Sequence, residues 1–76
     1  MMVNHGPISA EQWLSKLFSS RAARDGRVIR RQLRDIDRYV GRERFEAELV
    51  RRGYHAVENA GQVVIFCNQE PIRLVL

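Results

Sequence analysis

Apolar positions along this chain change period twice, and each change marks a boundary between elements. Ala10, Trp13, Leu14, Leu17, Phe18 and Ala22 trace one helical face. Ser9 and Gln12 stand at capping-box spacing, and Ile8 and Trp13 occupy the two positions of a hydrophobic staple. The pattern predicts a helix from Ala10 to about Arg24, with Gly26 as a left-handed stop and Ser19-Ser20 as an earlier one. The next stretch supports two assignments. Ile29, Leu33, Ile36 and Val40 repeat at helical spacing, which favours a helix over at least Gln32 to Val40. Arg27-Val28-Ile29-Arg30 is β-branched at its centre and follows a Gly, which fits a short strand. Gly41 then breaks the chain direction.

A third helix is predicted from Arg42 to Arg52, with Phe45, Leu49 and Val50 as its apolar stripe. Arg44–Glu48 and Glu48–Arg52 are i, i+4 partners on its wet side. Gly53-Tyr54 suits a Schellman closure. Beyond it the period becomes that of strands. Tyr54 to Glu58 and Val63 to Cys67 flank a turn at Asn59-Ala60-Gly61, and the second of these runs is apolar on both faces, as a central strand would be. After a turn at Asn68 to Pro71, Ile72, Leu74 and Leu76 alternate as a third strand. The expected fold is α+β, two or three helices packed on a three-stranded antiparallel β-meander, with a winged-helix-like variant as the other arrangement. The expected core is Trp13, Leu14, Leu17, Phe18, Ile29, Leu33, Ile36, Val40, Phe45, Leu49, Val64, Phe66, Ile72 and Leu74.

Length narrows the picture. Seventy-six residues form a single domain, 1–76, with 1–7 read as a loose arm. A chain of this size buries only about 60% of its unfolded surface, so stability is marginal and a homodimer is the natural source of further burial. A single cysteine excludes a disulfide framework, and His5 and His55 lack ligand-spaced neighbours, so neither metal nor other cofactor is expected. No apolar run approaches a membrane span, and the first residues do not resemble a signal peptide. The expected setting is cytoplasmic, with no membrane partner.

Charge changes the picture most. Twelve of the 13 basic residues are Arg, and eleven of those lie between Arg21 and Arg52. Against the six acids of that stretch they leave a net charge of +5, while the whole chain carries +4. Arginine forks suit phosphate, and Arg27, Arg30, Arg31, Arg34, Arg38, Arg42 and Arg44 are the candidate nucleic-acid contacts. Aromatic residues for base stacking are nearly absent from the cluster, with Tyr39 and Tyr54 the nearest.

If Arg27 to Arg30 forms a strand, the element order becomes that of a winged helix. Ile36, Val40 and Val50 then take apolar positions of a helix-turn-helix around Gly41. Asp37 falls where that motif wants a small residue. Glu43, Glu46 and Glu48 place acids on the helix that would read DNA.

Phe45 to Leu76 resembles the small HicA-type toxins of the double-stranded-RNA-binding fold, through Leu49, Gly53-Tyr54, Gly61 and Val64 to Phe66. Those toxins carry a His on the second strand just after the Gly, where Gln62 and Val63 stand here, and the helix that closes their fold has no counterpart. The resemblance therefore implies no ribonuclease activity. A second likeness covers about two-thirds of the chain. The runs Arg30 to Asp35, Val40-Gly41-Arg42, Phe45 to Leu49, Arg51 to Tyr54 and Ala56 to Gln62 resemble a set of short uncharacterised bacterial proteins of alphaproteobacterial type. Some of these carry the label phosphoribosylanthranilate isomerase. That enzyme is a (β/α)₈ barrel of about 200 residues or more, so the likeness implies no activity.

Catalysis finds little support. Cys67 lies in an apolar strand, His55 opens another, and neither has an evident partner to activate a nucleophile. The glycines are isolated, with no phosphate-binding loop. The expectation is a non-enzymatic nucleic-acid-binding or regulatory module that contacts DNA or RNA through arginines. The alternative is a protein-interaction domain that assembles with itself or another protein.

Overall fold

A computed structural model of the protein describes residues 8–76; the arm expected at 1–7 lies outside the described residues. Helix α1 (Ala10–Phe18) opens on the capping box. The Gln12 N–H donates to Ser9 Oγ at 3.0 Å, and the Ser9 N–H donates to Gln12 Oε1 at 3.0 Å. The helix takes the earlier of its two stops. Ser20 restarts the chain as a single turn, α2 (Arg21–Arg24), its Oγ accepting from the Ala23 N–H at 3.4 Å. Two adjacent hydroxyls compete with the helix for backbone partners, which is why the break falls there.

The ambiguous segment divides at Gln32. Strand β1 (Val28–Gln32) comes first, and helix α3 (Leu33–Tyr39) follows it directly. Gly41, at φ +94°, turns the chain into α4 (Arg42–Arg52), a conformation that an L side chain would strain. Helix α4 closes as a Schellman motif, with the Tyr54 N–H donating to the Leu49 carbonyl at 2.9 Å and the Gly53 N–H to that of Val50 at 3.1 Å. Strands β2 (His55–Asn59) and β3 (Gln62–Phe66) form a hairpin joined by Ala60 and Gly61. Both turn residues have positive φ, +52° and +76°, as a type I′ turn requires.

The sheet has the order β1-β3-β2, antiparallel throughout. The α+β class and the three antiparallel strands therefore stand as expected, in the winged-helix-like order of helix, strand, helix, helix, hairpin. The third strand, however, is β1 and not Ile72–Leu76, which has no regular structure. Strand β3 is already paired along both edges, by β1 and β2, so the tail finds no free edge on it.

Pairing also sets which face of β3 is buried. Ile65 lies opposite Ile29 on one side and Ala56 on the other, and residues directly opposite share a face. Val63, Ile65 and Cys67 thus point inward and are buried, whereas Val64 and Phe66, expected in the core, lie half-buried on the outer face. A strand apolar at every position carries no alternation from which this phase could be read. The core gathers Leu14, Leu17, Phe18, Ala23, Ile29, Ile36, Phe45 and Leu49 around these three, with Ile36 and Ile65 fully enclosed. Trp13, Leu33 and Val40 pack at its margin. Ile72 and Leu74 are exposed, contrary to expectation, and so is Val50, at 79%.

Candidate nucleic-acid interface

Helix α4 is where a helix-turn-helix would read DNA, and its cations are already engaged. Glu48 accepts from Arg51 Nη2 at 2.5 Å and from Arg52 Nε at 2.6 Å, a fork that holds its carboxyl below the usual carboxylate range chiefly through the Arg51 hydrogen bond. The Arg52 guanidinium also covers the Phe18 ring at 4.5 Å, and Tyr54 packs tilted against the same ring at 5.7 Å. Arg44 turns away from its expected partner Glu48 and meets Glu11 of α1 at 3.6 Å. Arg42 faces Asp37 across the Gly41 turn at 3.9 Å. Asp37, at the position where the motif wants a small residue, stays half-exposed at this corner. The rest of the exposed α4 surface presents Glu43, Glu46, Ala47 and Val50. The hairpin tip adds Glu58, Asn59 and Gln62 and no cation.

A different set of arginines has no acid partner among the described residues. Arg27 precedes β1, Arg30 and Arg31 lie on it, and Arg34 and Arg38 stand one helical turn apart on α3; all five are exposed. Among the described residues none of the five makes an ion pair within 4.0 Å, although Asp35 and Asp37 share the same helix. Among the described residues strand β1 pairs on one side only, with β3. Arg30 lies opposite Val64 on the outer face and Arg31 opposite Val63 on the inner one, and Arg31 Nη1 donates to the Arg30 carbonyl at 2.6 Å. Arg38 also lies 5.5 Å from the Tyr39 ring, which is itself stacked at 6.2 Å on Trp13. Of the seven arginines predicted as contacts, the structure thus leaves five unpaired along β1 and α3 and couples Arg42 and Arg44 to acids.

The candidate reactive groups are placed otherwise. Cys67 is buried on the inner face, and its burial pushes the thiol up, partly opposed by the Arg52 charge. His55 is exposed at the start of β2. Among the described residues no three His, Cys, Asp or Glu side chains gather as a metal site, and no helix is long and apolar enough to cross a membrane. No family model, no curated protein and no solved structure matches the chain at a significant level.

Proposed function

We propose that this protein is a non-enzymatic module that binds nucleic acid through its phosphates, using the β1–α3 arginines and not the helix-turn-helix face. One observation carries the reading: Arg27, Arg30, Arg31, Arg34 and Arg38 are exposed without acid partners, while the arginines of α4 are paired. An unpaired guanidinium meets phosphate with no prior ion pair to break. Base reading has less support, since Tyr39 beside Arg38 is half-buried and already stacked on Trp13, and α4 offers acids to the groove. The binding is therefore expected to be weakly sequence-selective. A cytoplasmic setting belongs to the same proposal and is supported by the lone cysteine, held as a buried thiol.

Fluorescence anisotropy with a labelled duplex and a labelled single strand tests it. Binding is expected at low salt, with affinity for duplex falling roughly a hundredfold between about 50 and 200 mM salt if four or so phosphates are neutralised. No binding to either at low salt would refute the proposal.

A further inference from the structure

Among the described residues no helix covers the outer face of the sheet, whose valines stay exposed or half-buried. Register places Val28, Phe66 and His55 in one row across this face and Arg30, Val64 and Val57 in the next. Val28 and Val57 are more than 40% exposed, and Val64 and Phe66 are half-buried. The same chain also holds an apolar segment with nothing to cover it. Ile72 is 43% exposed, and Leu74, Val75 and Leu76 each exceed 90%.

How the tail leaves the domain explains why its own sheet does not take it up. Asn68 Nδ2 donates to the Gly26 carbonyl at 3.3 Å, Gln69 Nε2 donates to that of Arg52 at 3.2 Å, and the Glu70 N–H donates to Asn68 Oδ1 at 2.9 Å. Pro71 follows this tied turn and removes a donor and a degree of freedom. Ile72 lies beside Phe66 at the margin of the outer face, in a shallow groove that Asn68, Pro71 and Arg73 also line. Beyond Ile72 the segment runs clear of the domain. Alternating apolar residues suit a pleated partner, and the exposed apolar row on the sheet is what such a segment would cover.

We propose that the Ile72–Leu76 segment of one copy lies on the outer sheet face of a second copy, and reciprocally, in a two-fold dimer. Reciprocity follows from one chain carrying both the segment and the face, so a two-fold axis satisfies both copies at once. Two segments on two faces would remove on the order of 1,000 Å² from water, the lower end of specific interfaces. A chain this short gains much from such burial. Nothing in this dimer depends on nucleic acid.

Light scattering and sedimentation of the full chain, from roughly micromolar to hundred-micromolar concentration, test the proposal. A particle of twice the 8.9 kDa chain mass is expected. Leu74→Asp on the segment and Val57→Asp on the face each raise the dimer dissociation constant at least tenfold, while circular dichroism shows the same folded spectrum. Val50→Asp, an exposed apolar position on α4, leaves the dimer intact. A monomer throughout that range, or a dimer disrupted by Val50→Asp and indifferent to the other two, would overturn the proposal.

Discussion

Glu48 shows how much one side chain organises. Its carboxylate takes up two of the cations that helix-turn-helix geometry would have offered to DNA, and its side chain is only 15% exposed. The two charge-assisted hydrogen bonds contribute modestly to stability, because Arg51 stays exposed to solvent and salt while Arg52 is the more enclosed donor. Because the folded state lowers the Glu48 pKa, that contribution is fully present above the ordinary carboxylate range and is lost as pH falls through and below it. Glu48→Gln is therefore expected to lower the urea-unfolding free energy at neutral pH by about 0.5–1 kcal/mol, with wild type and variant converging as pH falls below the ordinary carboxylate range. A constant difference across that range would place the effect in packing instead. The i, i+4 spacing exposed the Glu48–Arg52 pair in the sequence, but not Arg51, which pairs at i, i+3, nor the departure of Arg44 to Glu11 on another helix. Contacts between elements leave no mark in local spacing.

Among elements, those with chemical punctuation were the legible ones. The Ser9 box starts α1, and the Gly41 and Gly53 turns bound α4, where the residues predict, while α1 ends at Phe18 and not near Arg24. Strand β1 supports two assignments because its apolar residues fit both periods, and its pairing partners on β3, from Val28↔Phe66 to Gln32↔Gln62, lie far away in sequence. The tail departs from expectation for the converse reason: its alternation fits a strand, but β3 is already paired along both edges. The two turns make opposite predictions. Gly41→Ala would place a Cβ at φ +94° and is expected to cost about 1–2 kcal/mol, although nothing lies within 4 Å to clash with it. Ala60→Gly at φ +52° removes that strain and is expected to raise stability by about 0.5–1 kcal/mol, because glycine enters this region freely. Thermal or urea unfolding checks both, and a stabilising Gly41→Ala would contradict the account of the helix-helix turn.

At the scale of the whole molecule, the arginine cluster was visible in composition, but its division was not. A count of eleven Arg in one stretch says nothing about which have partners; that depends on α1 meeting α4 and on the Gly41 corner bringing Asp37 to Arg42. The fold leaves positive charge uncompensated along the β1 edge and α3, and neutralises it on the face a winged helix would ordinarily present. The most direct measurement compares anisotropy salt titrations of two triple variants on the same duplex. Arg30→Gln/Arg31→Gln/Arg34→Gln is expected to weaken binding at least tenfold and to flatten the salt slope by about 2–3, roughly one per lost phosphate contact. Arg42→Gln/Arg44→Gln/Arg51→Gln removes the same formal charge and is expected to change affinity by no more than about threefold, the size of the long-range charge effect alone. Equal losses in the two, or a greater loss in the second, would contradict the assignment of the β1–α3 edge as the binding surface.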